Sequence, residues 1–372
     1  MRASAVAGII FANTNDSLLK KLTADRSMAA VPFAARYRLI DFPLSGFVNA
    51  GISSIGVITK ENYRSLMDHI GSGVSWDLDR KNGGLFLLPP YVTSEAKRYN
   101  GTVDALHGAM DYIERCNAEY LVLCNGDLIA NMDIRGAVQA HLQTRADVTL
   151  LTHYGIPPAH HDEMLFPVIG ENGRISKIEV GNGGDGKTDY VIGAAVIGRK
   201  ILLDTVRRAF REGQVGFLTD VVARMPETHA IYAYEHRGFV AVLGSTDDYY
   251  QANMAMLDAG VRAELFDRGR PVFTKTRDDM PTRYGIRSSV SNCLIADGCV
   301  IAGTVKNSIV SRGVTVEKGA VVENSILMQG TTVKANAVLQ YVITDKNASI
   351  GENMMLKGAK DARLFVEKNQ ML

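Results

Sequence analysis

The chain has 372 residues, 46% of them hydrophobic, enough for a large core shared between two domains. With 41 Lys and Arg against 40 Asp and Glu, the formal charge of +1 offers no global field for a nucleic acid or an anionic membrane, so anion recognition has to be local. No apolar run approaches the ~20 residues that span a bilayer.

The first element is the apolar run from Ala5 to Ala12. One preceding Arg and no clear small-residue cleavage site argue against a signal peptide, and the run reads as a buried first strand. Up to about residue 250, further runs at Ser54 to Thr59, Tyr120 to Cys124, Val148 to Thr152 and Val191 to Ile197 alternate with amphipathic segments, among them Thr102 to Arg115 and Asp133 to Thr144. Strand followed by helix, repeated, predicts a largely parallel sheet covered on both faces, with ligands in the loops at the carboxyl ends of the strands. The cysteines at 116, 124, 293 and 299 make no C-x-x-C pair, which predicts reduced thiols and a cytoplasmic protein. His160, His161, Asp162 and Glu163 are metal-ligand types, but they follow Pro157-Pro158 in a polar stretch and read as a solvated loop.

After about residue 290 the pattern changes. Asn307-Ser308-Ile309-Val310 recurs as Asn324-Ser325-Ile326-Leu327, and a third line begins at Tyr341, so the spacing is 17 residues twice over. Within each line β-branched and small residues alternate at roughly six-residue intervals, the pattern of a parallel β-helix; an antiparallel β-domain is the alternative. The division predicted is a domain over 1–258, a linker over 259–289 carrying Pro271 and Pro281, and a β-helix over 290–372.

The segment Ala30-Val31-Pro32-Phe33-Ala34-Ala35-Arg36-Tyr37-Arg38-Leu39-Ile40-Asp41-Phe42-Pro43-Leu44-Ser45 resembles AVPFGGKYRIIDFPLS of the ADP-glucose pyrophosphorylases (glucose-1-phosphate adenylyltransferases). Asn49 to Ile52, Leu88-Pro89-Pro90, Tyr99 to Ala105, Asn125-Gly126-Asp127 and Gly238 to Ser245 follow in that family's order, so the resemblance covers nearly the whole chain. It implies an α/β nucleotidyltransferase domain followed by a left-handed parallel β-helix of hexapeptide repeats. The family reaction is attack by glucose 1-phosphate on the α-phosphate of ATP, which depends on positioning and on neutralising phosphate charge.

Against that requirement four family positions are altered. Where relatives read AGGxGxRLxxLT, this chain reads Ala12-Asn13-Thr14-Asn15-Asp16-Ser17-Leu18-Leu19-Lys20-Lys21-Leu22-Thr23, without a glycine and with Leu18 for the Arg. Asp16 is expected beside the polyphosphate, a like-charge contact costing on the order of 4 kcal/mol at ~4 Å in a surface-like dielectric. Met28 stands for the lysine of AKPAVPF, Val242 for the metal-holding carboxylate of GYWRDIGT, and Val180 for the sugar lysine of FxEKP, while Asp127, the carboxylate of AGDH, remains.

The resemblance is therefore to the GlgD-type regulatory subunits of the family. It implies no intact catalytic set beyond Asp127, and nucleotide or sugar-phosphate contacts at Tyr99, Gly101, Thr102, Asp104, Glu179 and Gly193. Arg36 matches the family's lysine for a phosphorylated small-molecule effector and Arg38 is a neighbouring cation in the same segment, with a structural ion pair to Asp41 or another carboxylate as the alternative. The partner implied is a catalytic glucose-1-phosphate adenylyltransferase subunit in a hetero-oligomer such as a tetramer, with a homo-oligomer as the alternative. No cofactor is expected for this chain, and Mg²⁺ is expected in the catalytic partner. An active sugar-1-phosphate nucleotidyltransferase with an altered site and a free-standing sugar-phosphate sensor are the competing functions.

Overall fold

The computed structural model describes residues 5–90, 99–159, 161 and 163–372. The chain forms two compact units, one of Met1–Val31, Leu39–Asp248 and Glu264–Phe273, the other of Pro32–Arg38, Tyr249–Ala263 and Thr274–Leu372.

The first unit is built on a seven-stranded sheet. Its strands, in chain order, are β1 (Val6–Phe11), β2 (Ser54–Ile58), β3 (Gly84–Leu88), β4 (Tyr120–Asn125), β5 (Val148–Gly155), β6 (Thr188–Gly198) and β7 (Ile231–Glu235). In space they run β7-β5-β6-β4-β1-β2-β3. β1 pairs in parallel with both β2 and β4, whereas β6 runs antiparallel to β4 and β5. Each strand feeds both faces, as continuous apolar runs should: Val6 and Ile10 enter one core cluster, Ala7, Ile9 and Phe11 the other.

The covering helices follow from local chemistry. Asp133 caps the helix Ile134–Thr144 by accepting from the Gly136 N–H at 3.0 Å, and Ile134, Ala137 and Val138 seal one face of the sheet. Leu202, Val206 and Ala209 of the helix Arg199–Arg211 seal the other. The single helix predicted from Thr102 to Arg115 is two, Thr102–Gly108 and Met110–Arg115. The break follows Gly108, where a Cβ would come within 2.6 Å of the Tyr99 hydroxyl.

The second unit contains the parallel β-helix. One face stacks Arg283–Tyr284, Val300–Ile301, Thr315–Val316, Thr332–Val333 and Ser349–Ile350. The repeat read in the sequence is the stacking register, since Ile309 pairs with Ile326 and Ile326 with Ile343. Asn307, Asn324 and Tyr341 mark corners with φ of 45°, 47° and 53°. Asparagine tolerates that left-handed conformation better than most residues, which accounts for its recurrence. Val305, Val322 and Leu339 stack inside with no exposure. The segment 259–289 is not merely a connection: it holds the helix Ala259–Leu265 and the first β-helix strand, Arg283–Tyr284.

Candidate functional site

At the carboxyl ends of β1, β2 and β4 the first unit holds a cavity of about 310 Å³, the place where an open α/β sheet presents its loops. Asn13, Thr14 and Asn15 line it from the loop after β1, and Thr59 and Lys60 from the loop after β2. Lys60 is the one Lys or Arg among the described lining residues, which also include Glu163 and Asp220. Such a lining suits a small polar ligand and gives little neutralisation to a polyphosphate.

The loop after β1 is bonded to itself. Asn13 donates its amide to Asp16 Oδ2 at 2.6 Å and to the Glu61 carbonyl at 2.9 Å, and its Oδ1 accepts from the Lys60 N–H at 2.8 Å. Asp16 Oδ1 accepts from the Met28 N–H at 2.7 Å, while the Asp16 carbonyl accepts from Thr23 Oγ1 at 2.5 Å. Asp16 is not among the cavity-lining residues, so the charge expected beside a polyphosphate is turned into the loop's own framework. Burial pushes its carboxyl up from 3.8 to about 6, against the opposing pull of the Asn13 and Met28 hydrogen bonds and of Lys60. Met28 has no exposure, Leu18 is half-buried, and Lys20 and Lys21 are exposed.

Asp127 follows β4 through Gly126, where a Cβ would meet the Phe11 carbonyl at 2.7 Å, and its side chain has no exposure. Its Oδ2 accepts from Asn15 Nδ2 at 2.6 Å. The same Asn15 nitrogen lies 2.9 Å from His161 Nε2, and that imidazole nitrogen is 3.7 Å from Asp127 Oδ2. An amide carries two N–H groups, so Asn15 can donate one to each. Asp127 Oδ1 is buried without a hydrogen-bond partner among the described residues. His161 is therefore not on a solvated loop: it is 8% exposed, packed against a buried carboxylate that local sequence does not reveal. His160 and Asp162 lie outside the described residues.

Val242, where the resemblance implies a second carboxylate, lies beside Asp127. Val240–Val242 pairs antiparallel with Leu128–Ala130, setting Val242 opposite Leu128, and the Leu243 N–H donates to the Asp127 carbonyl at 3.1 Å. Val242 lines the cavity. Mg²⁺ takes oxygen ligands in near-octahedral geometry. One carboxylate beside a valine, an amide nitrogen and an imidazole is not such a set, and these residues do not fit the ion.

Tyr99, Gly101, Thr102 and Gly193 also line the cavity. Gly193 sits in a bulge of β6 with φ of 80°, close enough to Asn125 that a Cβ would come within 2.8 Å of its amide. Gly101 is pressed against Val215, and Thr102 Oγ1 accepts from the Phe217 N–H at 2.7 Å. Asp104 and Glu179 are not among the lining residues. Asp104 accepts from the Asn100 N–H at 2.9 Å, and Glu179 is exposed, 2.6 Å from Lys177 Nζ, whose ammonium holds its carboxyl below the usual range.

In the second unit Arg36 is exposed in the turn between Pro32–Phe33 and Tyr37–Arg38, while Arg38 is buried. Sequence reasoning missed Asn13, Asn15, Lys60, His161 and the lining segment 215–220. The run Asn13 to Asp16 did carry a signal, since Asn and Asp side chains bond nearby backbone and one another in turns.

Residues 7–178 match the Nucleotidyl transferase family and residues 279–369 the GlmU-like, C-terminal hexapeptide family. The "Glycogen biosynthesis protein GlgD" of Bacillus subtilis (strain 168) is 35% identical over 364 residues, 97% of this chain and 95% of that protein. The protein of the same name from Geobacillus stearothermophilus is 37% identical over 316 residues, 85% and 82% of the two chains. The "Glucose-1-phosphate adenylyltransferase" of Geobacillus stearothermophilus is 32% identical over 333 residues, 87% and 84% of the two chains. Among the described residues no helix is long and apolar enough to cross a membrane.

Proposed function

Because the chain belongs to the family of glucose-1-phosphate adenylyltransferases and GlgD glycogen biosynthesis proteins, we propose that it is a regulatory subunit that assembles with a catalytic paralogue in glycogen synthesis and turns over little or no substrate itself. The observation that carries this is the loop after β1, where the Asn13 and Asp16 side chains are bonded to each other and to the backbone of Met28, Lys60 and Glu61. A phosphate entering there meets a loop without a glycine, and Lys60 is the one Lys or Arg among the described lining residues. Loss of a single electrostatic stabiliser costs roughly 10² to 10³ in rate, and several are replaced here.

A subunit without turnover alters its partner's rate only by favouring one of the partner's states. Two features of the second unit support that role. Arg36 lies near enough to Arg312 that its charge, with that of Arg277, adds to burial in holding the Arg312 guanidinium below its usual range, against the opposing pull of Asp279, 3.7 Å from its Nε, and of Asp297. Three arginines outnumber the two carboxylates there, and such an excess of guanidinium groups suits a phosphorylated effector. Among the described residues the first β-helix strand, Arg283–Tyr284, pairs on one side only, and Tyr284 and the nearby Ile286 are exposed, features that suit docking of another subunit.

The direct test is to assay the pure chain in the pyrophosphorolysis direction, then to co-express it with a catalytic paralogue, separate the product by size-exclusion chromatography and measure the rate of the pooled complex. Negligible activity alone, with co-elution and an altered rate or effector response, is the expected result. Robust activity of the pure chain would instead favour an active nucleotidyltransferase. Separate elution with an unchanged partner would favour a free-standing sensor.

A further inference from the structure

We infer that Asn15 and His161 close from within the position at which this fold would hold a divalent cation, so that the cavity takes its ligand without a metal ion. The inference rests on the reading of the chain as a subunit without turnover and goes beyond it, because lost catalysis does not require a lost metal.

Three contacts among three segments carry it, with Val242 on a fourth. Asn15 Nδ2 reaches Asp127 Oδ2 at 2.6 Å and His161 Nε2 at 2.9 Å, bridging the loop after β1, the turn after β4 and the segment before the hairpin strand Met164–Ile169. His161 Nε2 stands 3.7 Å from the same carboxylate oxygen. Val242 closes the side where a second carboxylate would have to stand.

A buried carboxylate needs a counter-group: a cation, or hydrogen-bond donors. Asp127 has no exposure; its Oδ2 accepts from the Asn15 amide, while Oδ1 has no hydrogen-bond partner among the described residues. A divalent ion bound at Oδ2 would have to displace that amide and the imidazole behind it, and the strand paired beside Asp127 offers it Val242 rather than a carboxylate. The cavity's ligand is accordingly limited to a group of low negative charge, a sugar or a monophosphate facing Lys60, rather than a metal-chelated triphosphate.

Asn15 has φ of 59°, so Asn15→Gly removes the amide without straining the backbone. The probe is Mn²⁺ alone, followed by the paramagnetic resonance signal of the free ion and by melting temperature, neither of which reads activity. The wild-type chain is expected to leave the free Mn²⁺ signal and its melting temperature unchanged. Asn15→Gly combined with His161→Asp is expected to bind one Mn²⁺ per chain, roughly tenfold or more tighter than wild type, and to melt higher with the ion than without it. Asp127→Asn added to that pair should abolish both effects. Should the pair fail to fold by circular dichroism, Asn15→Gly alone serves, with a melting temperature lowered in metal-free buffer and raised again by Mn²⁺. One Mn²⁺ bound by wild type and lost in Asp127→Asn would overturn the inference, as would a folded variant that binds no better than wild type. Activity of the pure chain would bear on the regulatory reading and leave these metal measurements standing.

Discussion

The backbone N–H of Met28 donates to the Asp16 carboxylate across 2.7 Å, so two positions that look like separate losses in the sequence form one structural unit. At the position where the resemblance implies a lysine, a buried thioether stands, and a carboxylate from the loop after β1 takes the N–H beside it. Asp16→Ala leaves the Met28 N–H and the Asn13 amide without this acceptor. The expected cost is roughly 1–3 kcal/mol by urea unfolding, with Asp16→Asn recovering part of it. A midpoint indistinguishable from wild type would show that the loop is not held this way.

The same carboxyl gives stability a pH dependence. Its folded value of about 6 lies above the unfolded 3.8, so between those values the folded chain holds a proton that the unfolded chain has released. The favourable contribution is full below about pH 4 and is lost as pH rises through 6, by at most about 3 kcal/mol before discounting partial exposure. Asp16→Asn removes this dependence. Unfolding free energies of the two proteins at acid and neutral pH should therefore diverge, the variant gaining on wild type as pH rises; a constant difference contradicts the assignment.

Restoring one carboxylate should not restore chemistry. Val242 is 7% exposed, next to the fully buried Asp127. Val242→Asp is expected to lose roughly 2–4 kcal/mol in metal-free buffer, because two carboxyl groups then share a dry site. Adenylyltransferase activity should stay at background, since the loop after β1 is unchanged. A gain in turnover from this single change would show the rest of the site to be competent.

In the complex with a catalytic paralogue, Arg36→Ala should weaken activation by a phosphorylated effector while leaving unactivated turnover close to that of the parent. Arg36 is exposed and adds to the cationic surroundings of Arg312, so removing it lowers local charge without opening a core. Equal activation constants for the two complexes would remove Arg36 from the effector site.

The β-helix corners separate conformational from packing effects. Asn324 has φ of 47°, so Asn324→Gly should change stability by less than about 1 kcal/mol, whereas Asn324→Val should cost roughly 1–3 kcal/mol. Leu339, inside the stack with no exposure, should cost about 2–5 kcal/mol when cut to alanine. Thermal unfolding of the three variants checks the order, and a valine at 324 as stable as glycine would rule out the left-handed corner.

Apolar runs and a 17-residue repeat sufficed to predict the sheet and the β-helix, because period and burial are written locally: Ile309, Ile326 and Ile343 are recognisable before they stack. Comparison with a family pattern likewise singled out Met28, Asp127 and Val242. The antiparallel course of β6, the strands Gly84–Leu88 and Ile231–Glu235, and the entry of Pro32–Arg38 into the second unit depend on long-range pairing that no local pattern encodes. His161 shows the difference most clearly. Its neighbours in sequence are polar and follow two prolines, so local chemistry predicts a solvated side chain. Its neighbours in space are the Asn15 amide and the Asp127 side chain, 146 and 34 positions earlier in the chain, and only the fold brings that buried carboxyl group within reach of the imidazole.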